Sequence, residues 1–572
     1  MILVFEYCMF FRNVALALVV SATLLFGHAH AQTSSPEKAE KNKPEKSKAV
    51  QPLELPEFVI TGVESLDVPG GAKQAPKPIP KLTLQQISRF NPLDKQSFTL
   101  LPAAPISRTL LAQQEKNGFV QGEFGMFITP SVEAGYRAVF GNFDLSANAG
   151  AVFSSGHRPN AGFSDIHVDI ESSYLAPEKF FFFGGSRTET RLRVRNRNYK
   201  FFGADSTAFP ESAPQRNVLN LEAGVQTVGN FEGWQYDMGV SVESALLAGV
   251  HENTLVNGHI AAKTSLGAFS LGGKADMQLQ GVIDQIFAQR YWLAPSILAG
   301  YNVSDFSLSA EVGAHIASTG FENILRPSAN LKAALAVSSL LTLELSAFTG
   351  IRPNSFLRAL LQNPYTANIG FPYQLLITEY TFETVGYDIA ALVRVHPSQY
   401  LTAVIGGGAE SRNTAMVFGT ADINGEFSPS FFLTSTLRIF AEFDGQLTNQ
   451  DNLIVRMNVR FGASGVRNTG APNLFLPYLV PFDGSLQYRR QWLPQFHSVV
   501  EGVYVAERPV TVIGSSKNLP AYFDIRLKAE YQITNAISVY ARGTNLLNQS
   551  IFLWQGYQER GIFIAAGFVM TF

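Results

Sequence analysis

The sequence predicts an all-β fold, a closed antiparallel transmembrane β-barrel, and three observations carry that expectation. Charged residues are 16% of the 572, against roughly 25% in ordinary soluble chains. Aromatics reach 12%, with 45 Phe and 19 Tyr against 4 Trp. From about Gly118 onward, long segments alternate one apolar face with one polar face. Beyond the first thirty-one residues no segment approaches ~18 consecutive apolar residues, so a membrane protein built from this chain must cross with closed strands. A net charge of −2 gives no reason to expect a nucleic-acid partner. The single cysteine, Cys8, sits in the extreme N-terminus. That excludes a disulfide framework, a thiol nucleophile and Cys-ligated zinc from the exported chain.

Residues 1–31 read as an export signal. Arg12 supplies the positive flank, Val14 to Phe26 the apolar run, and Ala29-His30-Ala31 the small-residue cleavage site. The apolar run falls short of the roughly 20 residues a spanning helix needs. A start at Met9 in place of Met1 would give a more ordinary leader, Met-Phe-Phe-Arg.

Residues 32–118 are expected to form a disordered periplasmic segment. Its first part alternates Lys38, Lys41, Lys43, Lys46 and Lys48 with Glu37, Glu40 and Glu45 among prolines. Such a stretch cannot bury enough apolar surface to offset its ordering entropy. Within it lies one β-prone island, Glu57-Phe58-Val59-Ile60-Thr61-Gly62. An apolar peptide in a polar tether can be added as a strand to a partner's sheet edge.

The barrel is expected from about 119 to 572. On Tyr522 to Ile533, the residues Phe523, Ile525, Leu527, Ala529 and Tyr531 share one face, and Asp524, Arg526, Lys528 and Glu530 the other. A row of charges cannot face a dry core unpaired, but it can line a wet lumen. Ten short turns are expected near 141–142, 177–178, 230–233, 267–268, 304–305, 338–339, 396–398, 428–430, 493–495 and 534–535. Ten such turns imply 22 strands with both ends of the barrel on the periplasmic side. Leu453 to Phe461 also alternates, but parity assigns it to a hairpin standing above the membrane. On this reading 202–216 and 447–479 are the longest external loops.

The final strand ends Gly567-Phe-Val-Met570-Thr-Phe572. This resembles the assembly signal of bacterial outer-membrane barrels, with Gly567, Met570 and Phe572 as its fixed positions and the barrel-assembly machinery as its reader. Leu519 to Asp524, Ile537 to Asn548, Gly556-Tyr557 and Arg560-Gly561 are similar to the closing strands of TonB-dependent outer-membrane receptors. Gly419 to Glu426 with Ser428-Pro429 resembles the strand and turn before them. Glu57 to Thr61 looks like the TonB box that a periplasmic energiser grips in that family. The resemblance implies a Gram-negative-type outer membrane as the location, and a TonB-type energiser as partner. It departs from the family in one respect: only 56 residues, 63–118, stand where a plug of roughly 130 would be expected. The plug is missing or much reduced.

No catalytic motif, cofactor fingerprint or metal-ligand spacing is present, and the chain reads as a non-enzyme. Asp422-Ile-Asn424-Gly425 is similar to part of a calcium loop, but Phe431 stands where the bidentate Glu belongs, so a strand end is expected. One charged constellation stands out. Arg187, Arg191, Arg193, Arg195 and Arg197 take alternate positions interrupted only by Glu189, which puts all five on one strand face. Facing lipid, each would cost about 2–4 kcal/mol at the midplane, so they belong to the lumen. They form either a ladder favouring anionic solutes or a set paired with carboxylates such as Asp165 and Asp169. Three functions follow: an energised importer of a scarce or bulky solute, a passive channel, or a surface-binding barrel acting through its loops.

Overall fold

The computed structural model describes residues 117–572, apart from 181–182, 210–211, 248–251, 284–289, 319–322, 368–381, 399, 466–473 and 511–517. The leader, the segment 32–116 and the candidate box Glu57–Thr61 lie outside the described residues.

Twenty-two long strands form one closed antiparallel barrel. In chain order they are β1 (Gly118–Gly125), β2 (Thr129–Phe140), β3 (Phe143–Ser154), β4 (Phe163–Leu175), β5 (Arg187–Lys200) and β6 (Gln215–Phe231). There follow β7 (Trp234–Leu247), β8 (Glu252–Leu266), β9 (Phe269–Ile283), β10 (Arg290–Asn302), β11 (Phe306–Ser318) and β12 (Asn323–Ser338). Next are β13 (Leu341–Pro353), β14 (Phe382–Ser398), β15 (Leu401–Phe418), β16 (Pro429–Gln446) and β17 (Asp451–Gly465). The wall ends with β18 (Phe482–Leu493), β19 (Phe496–Val505), β20 (Tyr522–Gln532), β21 (Ile537–Thr544) and β22 (Phe563–Thr571). Each strand pairs with its sequence neighbours, and β1 pairs with β22 to close the ring. Closure removes every open edge of the wall, which is the condition for crossing a bilayer with strands.

Alternation fixes the two faces. Val132, Ile166, Leu192, Ile297, Ile389, Ile439 and Leu527 are exposed on the outside, as a lipid-facing belt requires. On β20, Asp524 and Glu530 are buried on the inner side while Phe523 and Leu527 are exposed outside. β15 and β16 run to 18 residues each, well beyond the 9–11 needed to span.

The connections have two ends of different character. Ten short turns join alternate strands at one end, and the β1 start and β22 finish lie there too, where Asn117 and Gly118 donate to the Phe572 carbonyl at 2.8 and 2.9 Å. Eleven loops join the remaining strands at the other end. Apart from 176–186 at the first end and 126–128 at the second, the turns are short and the loops longer, which is the pattern of outer-membrane barrels.

Two expectations are corrected, and they cancel in the count. Residues 451–465 are not a hairpin above the membrane but wall strand β17, paired to β16 through fourteen register positions and to β18 at 482–493. The short turn before it is 447–450, so 447–479 is not one long loop. Conversely, Gly419 to Glu426 is not a strand and 428–430 not a short turn. Residues 419–428 form a loop at the long-loop end, and Ser430 already belongs to β16. Asp422 sits within that loop, not at a strand end: its Oδ1 accepts the N–H groups of Asn424 and Glu426 at 2.9 and 2.8 Å, closing a local turn. The longest loop is 354–381, which carries the short helix α1 (Phe356–Gln362), started by Ser355 accepting from the Arg358 N–H.

Candidate functional site

The basic ladder lies on β5, facing the lumen between β4 and β6. Arg187 pairs with Glu189 of its own strand at 3.0 Å. Arg191 reaches Glu171 at 3.0 Å and Glu222 at 3.7 Å. Arg193 lies between three carboxylates, Asp169 at 3.6, Glu171 at 3.2 and Glu222 at 3.4 Å. Arg195 holds Asp165 through Nε at 2.9 Å and a second guanidinium nitrogen. Arg197 is the exception. It is buried, makes one long bond to Asn220 Oδ1 at 3.4 Å, and its Nε has no partner.

These arginines therefore stand within a mixed field. A recess of about 1030 Å³ in the lumen is lined by Arg191, Glu171, Glu189, Glu222, Glu243 and Asp276 among others. Glu222 and Glu243 lie directly opposite each other on β6 and β7. The carboxylates along this wall pair with four of the five guanidinium groups that alternation puts there, Arg197 being the exception.

A second constellation, at the long-loop end, was not visible in the sequence. Tyr199, Phe201, Phe356, Leu360, Tyr365, Phe418, Phe427, Tyr478, Val510, Leu519, Trp554 and Tyr557 form one buried apolar cluster. They come from six loops and the strand ends beside them. Tyr365 and Tyr557 stack with ring centres 3.5 Å apart, Tyr478 meets Trp554 at 4.5 Å, and Phe202 meets Tyr557 edge-on at 4.9 Å. Burial in this cluster raises the hydroxyl pKa of Tyr365 and of Tyr557. Backbone ties join the loops: Asp205 N–H to Ile423 O at 3.0 Å, Ala367 N–H to Phe427 O at 2.8 Å, and Phe427 N–H to Tyr365 O at 2.9 Å. The Tyr557 hydroxyl donates to the Gly425 carbonyl at 2.6 Å. Gly425 has φ +80°, and a Cβ there would lie 2.7 Å from the Tyr557 hydroxyl and 2.8 Å from the Ala204 nitrogen. Only glycine fits that approach.

The barrel-closing residues occupy the seam. Met570 faces Val120 of β1 and Ile537 of β21 in register. Gly567 lies against the Tyr540 ring, and Phe572 stacks on Tyr136 with centres 6.4 Å apart.

No protein-family model matches the sequence, and a search of curated proteins finds no match. Solved structures do match the fold. The iron transporter FrpB from Neisseria meningitidis superposes with a TM-score of 0.62 at 9% identity, over 81% of this chain and 82% of that one. The siderophore receptor PirA from Acinetobacter baumannii gives 0.61 at 9%, over 80% and 81%. The ferric enterobactin receptor PfeA from Pseudomonas aeruginosa gives 0.60 at 10%, over 80% of each chain. The fold is that of a TonB-dependent outer-membrane receptor barrel. A closed barrel of this fold, with an apolar belt and no open edge, belongs in the outer membrane. The non-enzyme reading agrees with these neighbours, which are transporters and receptors. The expected reduced plug, 63–118, falls almost wholly outside the described residues.

Proposed function

We propose that the protein is an energised outer-membrane transporter that takes up a scarce or bulky solute. A wall of 22 strands encloses more space than its own side chains can fill, and the cluster of inward-folded loops narrows the mouth. That cluster is the observation that carries the reading: a passive sieve has no use for a covered entrance, whereas an importer that must hold and then release its cargo does. It also speaks against surface binding through outstretched loops, since the aromatic residues of these loops are turned inward. The neighbours, iron and copper transporters and siderophore receptors, support a scarce nutrient as cargo.

On this reading residues 32–116 are a periplasmic tether and Glu57, Phe58, Val59, Ile60 and Thr61 the grip for a TonB-type energiser. Pairing would be main chain to main chain, so Val59→Pro or Ile60→Pro should abolish energised uptake, because proline lacks the N–H and resists a ladder. Val59→Ala should be nearly silent. The test is crosslinking of a single cysteine at 59, 60 or 61 to the periplasmic energiser. Absence of a crosslink at all three positions sinks the energised reading and leaves the passive channel.

A further inference from the structure

Arg216 opens β6 at the lip of the barrel, and it is buried with 5% of its side chain exposed. One guanidinium nitrogen donates to the backbone carbonyls of Pro364 at 3.1 Å and Thr366 at 2.6 Å. The other reaches Glu426 Oε1 at 3.0 Å. Its flat face lies 4.5 Å from the centre of the Phe201 ring. One wall side chain thus ties down three loop stretches: 354–367 through Pro364 and Thr366, 419–428 through Glu426, and 201–209 through Phe201. Beside it, the Tyr199 hydroxyl donates to the same Pro364 carbonyl at 2.5 Å.

We propose that these loops are the gate of the barrel and that Arg216 is its latch. Two features of the cluster suit a device with two states. The aromatic hub is shared among loops that are each anchored to different strands, so it can come apart without unfolding the wall. The polar tie is concentrated on one buried charge, whose three oxygen partners would all have to be satisfied by water on opening. Closure is therefore cooperative: losing the latch weakens every loop in the hub together. The inference rests on the transporter reading and locates its gate in the loops.

The test is single-channel conductance of the full chain in a planar bilayer, with heat-modifiable migration on unboiled gels confirming the fold of each variant. Wild type should be closed nearly all the time. Arg216→Gln should raise the time spent open by on the order of tenfold or more, the shift expected when a charge-assisted bond is lost. A disulfide between Asp205→Cys and Ile423→Cys, positions joined by a backbone hydrogen bond, should shut the Arg216→Gln channel when oxidised and release it when reduced. If Arg216→Gln does not fold, Tyr365→Ala removes a central ring of the hub that lies outside the wall strands and should open the channel in the same way. Killing of cells by vancomycin, which an intact outer membrane excludes, should follow the same order. The gate is overturned if a folded Arg216→Gln or Tyr365→Ala barrel conducts like wild type, or if oxidation leaves the open variant open. Silence in every variant overturns the loops as the barrier to conduction and leaves the importer standing, because a lumen filled by another segment is silent whatever the loops do. A wild-type channel that is always wide open overturns both the gate and the energised importer.

Discussion

Asp165 lies directly opposite Arg197 across β4 and β5, yet its carboxylate is held by Arg195, one step along the ladder. His167 is the residue opposite Arg195, and its imidazole offers no carboxylate, so the arginine reaches diagonally. Arg197 is left with Asn220. At this level the pairing is offset from the register, whereas Arg191 meets Glu171 directly across from it.

Asp165→Asn should therefore be destabilising, because Arg195 would lose its carboxylate beside Arg197, which has none in contact to share. The expected loss is about 2–3 kcal/mol, below the 3–5 of a fully buried pair, since Arg195 keeps 36% of its side chain exposed. The midpoint of heat conversion on unboiled gels reads it directly. An unchanged midpoint would mean that Asp165 contributes no net stability.

Replacing Arg191, Arg193 and Arg195 together by Ser should lower the same midpoint, with any shift of ion selectivity toward cations accompanied by that loss of stability. Each removed cation is matched by nearby carboxylates, which would repel one another once alone. Reversal potential in a salt gradient is the second measurement, taken on a variant held open. A clear shift toward cations without loss of stability would restore the anion-ladder reading.

The loop 545–562 should be held more tightly below neutral pH than above it. Burial pushes the Glu559 carboxyl up to about 7, against the pull of Arg560. A carboxyl whose folded value is raised stabilises fully below its ordinary value near 4.5 and loses that contribution as pH rises through about 7. His157, lining the same small pocket, is pushed the opposite way by burial, so its contribution is lost as pH falls below its ordinary value of 6.5. Hydrogen exchange of residues 545–562, corrected for intrinsic rates, should show protection falling as pH rises toward about 7 and levelling off above it. Glu559→Gln should remove the alkaline loss and keep the acid one.

Gly567→Val should prevent stable closure of the ring. A Cβ at this position would lie 2.5 Å from the Gly122 carbonyl oxygen and 2.6 Å from the Tyr540 ring. The ring can turn, but the carbonyl belongs to the β1 ladder and cannot. The expected result is a weak or absent heat-modifiable band. Met570→Leu, a swap of similar volume, should leave the band intact.

The wall was legible because its physics is local and periodic. Alternation on β20 and β16, and the short turns at Gly141, Gly267 and Thr534, follow from the next residue or two. The error at 419–430 has the same origin. Gly419 to Glu426 has the texture of a strand, but its Asp422 satisfies neighbouring N–H groups within its own loop. Leu453 to Phe461 carried a clear alternation, and parity with that false strand displaced it. The mouth cluster was not legible. Tyr365 and Tyr557 are far apart in sequence, and no spacing links them. Trp554, one of only four tryptophans, was the available hint, because a large ring in a loop needs something to cover it. Arg216 gave no signal beyond marking the end of a loop.

The first and last strands meet along seven residue pairs, Phe119 with Thr571 through Gly125 with Ala565, and the chain runs into β1 at the same point where it ends. A partner pulling on the chain ahead of Asn117 would therefore pull along the seam itself. Because the ladder lies parallel to that force, its rungs would be loaded in shear and would resist together, as a zipper pulled lengthwise resists while one peeled from its end opens tooth by tooth. The Asn117 and Gly118 bonds to the terminal carbonyl would take the strain first. The wall is thereby a fixed anchor against which work can be done on whatever lies upstream.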